Sequence, residues 1–138
     1  MIIPSKQAMI GPGSGNVARR SLILTDVPET KEGYMFVAIS TYLKPLEEVD
    51  QATPAHRQWL LKHYNAGRFL GSGPRVPRIG GLIIIRAASL EACQVLLADD
   101  PFQQQGIAQY DVYEFNPGPL PYRSAVLEAF LSQPILAE

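Results

Sequence analysis

The chain has 138 residues and a formal net charge of −1, from 12 basic and 13 acidic side chains. This length is typical of one domain with a single hydrophobic core. Hydrophobic residues make up 46% of the sequence and charged residues 18%, which excludes a wholly disordered chain. The near-neutral charge argues against a nucleic-acid-binding protein, which usually carries a basic face.

The sequence shows no sign of a membrane span, a signal peptide or an internal disulfide, and these three features bear on the location of the protein. No apolar segment approaches the roughly 18 residues that a membrane span requires. The N-terminal sequence MIIPSKQAMIGPGSG has no continuous apolar segment of the kind found in signal peptides. Cys93 is the only cysteine of the chain and cannot form an internal disulfide. We therefore expect a cytoplasmic protein with no membrane partner.

The distribution of glycine and proline divides the chain into three parts. Residues 1–33 are expected to form an N-terminal arm, because residues 1–20 are rich in turn formers and lack an apolar period. Within this arm, SLILT at 21–25 could form an extra strand. Residues 34–116 form the expected α+β domain. Residues 117–138 are expected to form a connector and a C-terminal helix, because apolar residues from Arg123 to Leu131 have helical spacing.

Predicted strands and helices within 34–116 follow a known supersecondary order. YMFVAIST at 34–41 is rich in β-branched and aromatic residues and predicts the first strand. Thr53 followed by Pro54 is typical of a helix start, and Gly67 of a helix end. The remaining predicted elements are strands at 68–73 and 81–87, a helix capped by Ser89, and a strand at 109–115. This β-α-β-β-α-β order predicts a ferredoxin-like fold with an antiparallel four-stranded sheet.

The predicted fold leaves one face of the sheet uncovered, because both helices lie on the other face. A second copy of the chain is the simplest cover. We therefore expect a homodimer whose sheets face each other, with apolar residues of strands 34–41 and 109–115 at the contact.

Both histidines of the chain lie on the predicted first helix. At about 100° per residue, His56 and His63 share an arc with Trp59, so both should point inward, as core histidines do. They are about 10 Å apart along the helix axis, too far to share one metal ion, and we expect no metal and no cofactor. His56 also follows the predicted Thr53 cap by three residues. There the helix dipole favours the neutral imidazole that a general base requires.

Asp100, in the sequence ADDPF, is the second candidate residue. Aspartate before proline commonly begins a helix, with its carboxylate accepting from free backbone amides, and this alone would explain the residue. A carboxylate beside His56 would instead fix the tautomer of the ring and stabilise its protonated form. The sequence leaves both interpretations open.

Three segments in this order carry a family resemblance. TPAHRQWLLKHYNAGRFLGSGP contains the helix histidine and a GxxLxxGP-like strand, GGLIIIRAASLEAC forms a strand–helix unit, and ADDPFQQQGIAQYDVYEF contains an Asp-Pro-aromatic turn before the last strand. The strand motif consists of Gly67, Leu70, Gly73 and Pro74. Together the segments resemble the YCII-related family over residues 34–116. That family is similar in fold to dimeric α/β-barrel proteins such as muconolactone isomerase, so the resemblance implies the same dimeric type.

The resemblance also implies an active site built on a His–Asp dyad, which here would be His56 and Asp100. We expect the two side chains to hydrogen bond beside a pocket whose substrate-binding residues are Ser72, Gly73, Pro74, Arg75 and Phe102. Many family members have an arginine where this chain has Thr53. Any anion-binding role of that arginine is therefore lost, or moved to Arg75 or Arg78. The resemblance gives no agreed substrate, although a related protein removes chloride from a chlorinated hydroxyhydroquinone.

Other motifs predict no chemistry. GPGSG at 11–15 lacks the lysine of a phosphate-binding loop and predicts a linker. Ser72 lies outside a GxSxG context, which argues against a serine hydrolase. The aromatic residues Tyr110, Tyr113 and Phe115 lack the basic signature of an RNA-binding sheet.

Two hypotheses of function remain. The first is a small enzyme that uses His56 and Asp100 as a general acid–base pair in elimination, isomerisation or hydrolysis of a small aromatic or anionic molecule. The second is a non-catalytic ligand-binding or accessory domain of the same fold. Retention of both dyad residues favours the first hypothesis, and Thr53 favours the second. A pocket with an accessible His56 bonded to Asp100 would distinguish them.

Overall fold

The computed structural model describes residues 34–118 and 121–136. Its elements are β1 (Met35–Tyr42), α1 (Leu46–Asn65), β2 (Phe69–Pro74), β3 (Gly81–Arg86), α2 (Leu90–Ala98), α3 (Pro101–Gln104), β4 (Ala108–Phe115) and α4 (Ala125–Ser132). All strand pairs are antiparallel, in the order β2-β3-β1-β4. The predicted ferredoxin-like α+β fold and the C-terminal helix are confirmed. The predicted arm and the extra strand at 21–25 lie outside the described residues.

The core lies between one face of the sheet and the helices α1 and α2. Side chains alternate between the two faces of a strand, so every second residue of β1, β3 and β4 faces the helices. These strand residues pack against Trp59 of α1 and against Cys93 and Leu97 of α2. Burial raises the pKa of the Cys93 thiol to about 12, which agrees with its predicted place as a small core residue. The strand members of this core are Phe36, Ala38, Ile83, Ile85 and Val112.

The opposite face of the sheet carries mainly apolar residues together with the exposed Asp111 of β4, and it remains partly exposed. Tyr113 and Phe115 of β4 are 43% and 38% exposed on this face. The alternating residues of β1 and β3 on the same face are half-buried, namely Val37, Ile39, Leu82 and Ile84. We call these six residues the open face.

Helix α4 is attached to the sheet at the end of β3. There buried Arg86 donates from Nη1 to the carbonyls of Phe130 and Leu131.

Helix α1 begins at Leu46, so the predicted start at Thr53–Pro54 is wrong. The Thr53 hydroxyl donates to the carbonyl of Val49 at 2.8 Å instead of capping a helix, and Pro54 lies inside α1. An internal proline costs one backbone hydrogen bond. The turn before it is stabilised because Val49 and Ala52 are buried in a second apolar cluster with Phe102, Ile107 and Ala108. Tertiary packing therefore overrides the local signal.

This longer helix changes the electrostatic setting of His56. The residue lies near the middle of the 20-residue helix α1. The field of a helix terminus falls off within the first turn, so it does not act on His56. The predicted dipole effect is therefore wrong, and other groups must set the protonation of the ring.

Among the described residues, no helix is long and apolar enough to cross a membrane.

Candidate active site

Asp100 is held at the junction of α2 and α3. It is the N-cap of α3, and its Oδ1 accepts from the backbone N–H of Phe102 at 3.0 Å, with Pro101 at the start of the helix. The residue is fully buried. The interpretation of Asp100 as a helix cap is thus correct. The same carboxylate can accept hydrogen bonds from further donors.

His56 meets Asp100 across the space between α1 and α3. Nδ1 of His56 lies 2.8 Å from Oδ1 of Asp100, which is a hydrogen-bond distance. An ionised carboxylate only accepts hydrogen bonds, so with Asp100 ionised the donor in this bond is Nδ1 of His56. In the neutral ring Nε2 then carries the lone pair. The His56 side chain is 15% exposed, whereas that of Asp100 is completely enclosed.

Tyr110 supplies a third hydrogen-bond donor to Asp100. The hydroxyl of Tyr110 on β4 donates to Oδ2 of Asp100 at 2.6 Å. Burial raises the pKa of Tyr110 far above its usual range, and the nearby Asp100 charge adds to this effect. The phenol therefore stays protonated and acts as a donor. Three donors reach a carboxylate that bulk water does not, which is how buried charges are tolerated.

Two aromatic rings fix the plane of the His56 imidazole. The ring stacks on Phe102 with centroids 3.9 Å apart and planes 2° from parallel. Trp59 lies on the same helix with its ring centroid 5.7 Å from that of His56. Because one face of the imidazole is covered by Phe102, the ring has little freedom to turn away from Asp100.

A cavity of about 340 Å³ lies beside this histidine, between α1 and the sheet. Its size is at the lower end of small-molecule sites, which suits a ligand of one or two rings. Of the residues expected to bind substrate, Ser72, Gly73, Pro74 and Phe102 line it together with His56. Its apolar wall also includes Leu60 and Ile83, and its polar wall includes Ser40, Thr53 and Tyr110.

Arg75 does not line the cavity, which differs from the expectation. Its Nη1 donates to the carbonyl of Ser40 at 3.2 Å and to the hydroxyl of Thr41 at 3.4 Å. The guanidinium thus ties the β2–β3 loop to β1. Arg78, the other arginine considered from the sequence, lines the cavity instead. Its Nη2 lies 2.5 Å from Oδ1 of Asp50, another lining residue.

The loop that carries Arg78 is fixed against β1 by backbone contacts. The N–H of Tyr42 donates to the carbonyl of Ile79 at 2.8 Å. Gly80 approaches β1 so closely that an added Cβ would lie 1.8 Å from the carbonyl oxygen of Ser40. Only glycine fits at this position without a shift of the backbone. The glycine therefore sets the position of Arg78 at the cavity.

The second histidine belongs to the core and not to the cavity. His63 is 5% exposed, and its Nδ1 accepts from Nη1 of Arg68 at 3.3 Å. Its ring contacts those of Trp59 and Phe69. Within residues 34–118 and 121–136, no group of three or more His, Cys, Asp and Glu side chains could hold a metal ion.

Asp50 and Tyr42 also line the cavity, and neither they nor the contact of Tyr110 with Asp100 were predicted from the sequence. Tyr110 could have been placed on the helix side of the sheet, because it is in step with Val112 in the alternation of β4. Asp50 could not have been placed on the cavity in this way, because the predicted helix began after it. Its position on the cavity depends on the extra turns of α1.

Fold and site together define a class: a small α+β protein in which a histidine on the wall of a compact cavity is hydrogen bonded to a buried aspartate. The model of the YCII-related domain matches residues 35–116, and the chain belongs to this family. Comparison with curated proteins gives no match.

Several solved structures are similar to the chain, among them two enzymes. One is 5-chloro-2-hydroxyhydroquinone dehydrochlorinase from Burkholderia phenoliruptrix in complex with 2,5-dihydroxybenzoquinone, with TM-score 0.53 and 19% identity over 61% of this chain and 95% of that one. The other is SnoaB, a cofactor-independent oxygenase from Streptomyces nogalater, with TM-score 0.37 and 14% identity over 64% and 96% of the two chains. The first similarity supports the fold.

Proposed function

We propose that this protein is an enzyme that uses His56 and Asp100 for general acid–base chemistry on a small molecule. The observation that carries the proposal is the 2.8 Å bond from Nδ1 of His56 to a buried carboxylate, at a residue that lines a cavity. This bond commits the ring proton to Nδ1 and leaves Nε2 as the base. A rigid ring and an enclosed carboxylate are what a positioned base requires.

The proposed step is a proton transfer in two parts. Nε2 of His56 takes a proton from a C–H or O–H of the substrate, and the negative charge of Asp100 stabilises the resulting imidazolium. The electron pair left on the substrate expels a leaving group or shifts a double bond. The imidazolium then returns the proton to the leaving group or to another substrate atom. Elimination and isomerisation both fit this scheme. Hydrolysis fits when the first proton comes from a water molecule whose oxygen bonds to the substrate, while the bond to the leaving group breaks and the leaving group takes the proton from the imidazolium.

The proposed substrate is a compact oxygenated ring, aromatic or quinonoid. A cavity of about 340 Å³ with a wall of Leu60, Ile83 and Phe102 accommodates one such ring. The hydroxyls of Ser40 and Ser72 and the charged pair of Arg78 and Asp50 offer hydrogen bonds to oxygen substituents. The similar dehydrochlorinase in complex with 2,5-dihydroxybenzoquinone supports this class of ligand.

We also propose that the protein acts as a homodimer that buries the open face. Exposed Tyr113 and Phe115 lie there beside half-buried aliphatic residues of β1 and β3. A contiguous apolar surface of this kind marks an interface. Isologous pairing of two such sheets would cover it on both copies.

A non-catalytic ligand-binding domain is the second candidate function, and Thr53 favours it. Threonine is uncharged, so this position supplies no cation to the cavity, and its hydroxyl donates to the carbonyl of Val49. A domain that had kept the fold but only bound a ligand could lack such a group. The two candidates differ in whether His56 is needed for turnover.

The experiment compares wild type with His56→Gln on a panel of hydroxylated aromatics, hydroxyquinones and lactones. Consumption of a panel compound should fall by about 10²-fold or more in the variant, because a positioned general base contributes that much. His63→Gln is the matched control, because it removes the other histidine without touching the cavity. It should lower stability and keep turnover per folded molecule. Equal turnover in wild type and His56→Gln would contradict the proposal.

A further inference from the structure

The two oxygens of the Asp100 carboxylate have different partners. Oδ1 accepts from Nδ1 of His56 at 2.8 Å and from the backbone N–H of Phe102 at 3.0 Å. Oδ2 accepts from the Tyr110 hydroxyl at 2.6 Å. The shortest of the three bonds is therefore made to the oxygen that does not contact His56.

The Tyr110 bond restricts Asp100 in two ways. Donors on Oδ1 alone would allow the carboxylate plane to rotate about the Cβ–Cγ bond. They would also leave Oδ2, fully buried, as a site that favours a proton over a charge. A hydroxyl donor on Oδ2 opposes both changes, because it fixes the direction of that oxygen and stabilises the ionised form.

Tyr110 and Asp100 are carried by different kinds of structural element. It lies within β4, which pairs with β1 along its full length, and Tyr110 is opposite Ser40 in that register. Asp100 lies at the junction between α2 and the four-residue helix α3. The sheet thus provides a fixed reference for a carboxylate carried by a short connection.

We propose that Tyr110 is a positioning residue whose hydroxyl keeps Asp100 ionised and oriented, and so keeps the ring proton of His56 on Nδ1. The inference rests on the proposed function, in which Nε2 of His56 is the base. Free histidine favours the tautomer with the proton on Nε2. A loosened Asp100 therefore allows the proton to move to the nitrogen whose lone pair the reaction needs.

The test measures the tautomer of His56 by ¹⁵N NMR of the ring nitrogens, at a pH where the rings are neutral. The chain contains two histidines, so His63→Gln assigns the signals. In wild type we expect the proton on Nδ1. In Tyr110→Phe the ratio of the Nδ1–H to the Nε2–H tautomer should fall about tenfold, equivalent to about 1.4 kcal/mol.

Tyr113→Phe is the matched control, because it removes a phenol from the same strand on the open face. Its tautomer ratio should equal that of wild type. An unchanged ratio in Tyr110→Phe would overturn the inference, even with reduced stability, because the phenol would then serve the fold alone. A wild-type His56 with its proton on Nε2 would contradict the proposed function itself. Backbone amide spectra check that each variant is folded, and a Tyr110→Phe chain that did not fold would also overturn the positioning role.

Discussion

Removal of the Asp100 carboxylate should strongly destabilise the protein, because three donors lose their acceptor at once. Asp100→Ala removes an N-cap, at about 0.5–2 kcal/mol. It also leaves the Tyr110 hydroxyl without its acceptor inside the protein, at about 1–3 kcal/mol. The His56 side chain is 15% exposed, so its N–H can bond to water once Asp100 is gone. The cost of losing this hydrogen bond is therefore at the lower end of the same range. The expected loss in the free energy of unfolding is about 3–5 kcal/mol.

Asp100→Asn is the control that separates charge from hydrogen bonding. The asparagine oxygen can still accept from His56 and from the Phe102 amide, and its NH₂ group can donate to the Tyr110 oxygen. The expected loss is about 1–2 kcal/mol, the difference between charge-assisted and neutral bonds. Urea unfolding followed by Trp59 fluorescence measures both values, because Trp59 is the single tryptophan and is buried near His56. Equal losses in the two variants, or a loss under about 1 kcal/mol in Asp100→Ala, would refute the three-donor account.

Three further predictions concern other parts of the fold. Light scattering should show a dimer at micromolar concentration, and Phe115→Asp on the open face should give a monomer; a monomeric wild type would contradict the proposed assembly. Gly80→Ala should lose several-fold in turnover or ligand affinity, because its Cβ would meet the Ser40 carbonyl at 1.8 Å and displace the Arg78 loop; unchanged binding would contradict the role of that loop. The Cys93 thiol has a pKa raised to about 12, so its contribution to stability is present below the pKa of the unfolded thiol and lost as pH rises toward 12. Between pH 8 and pH 10, the free energy of unfolding measured in urea should therefore fall more in wild type than in Cys93→Ala. Equal decreases in the two proteins would contradict the raised pKa of Cys93.

The order of elements was predictable because local signals agreed with the fold. β-branched and aromatic residues marked β1, Ser89 capped α2, and alternation marked β4, and each of these elements is present. The start of α1 was not predictable in the same way. Thr53 and Pro54 are a genuine N-terminal signal, and burial of Val49 against Phe102 outweighed it.

The site was partly predictable for a similar reason. The family resemblance placed His56 beside Asp100, and the structure shows their hydrogen bond. The Tyr110 contact needed the register between β1 and β4, which the sequence does not contain. Arg75 and Arg78 are three residues apart in one loop. Their different positions depend on the hydrogen bonds of that loop to β1, which composition does not specify.

Paired measurements of binding and turnover on one compound decide whether His56 acts as a base on a bound ring compound. For each panel compound, binding is measured by calorimetry and consumption by chromatography, in wild type and in His56→Gln. We expect a compound that both proteins bind with similar affinity and that wild type consumes about 10²-fold faster or more. Compounds that bind to wild type in the cavity without being consumed, or that both proteins consume at the same rate, would contradict it.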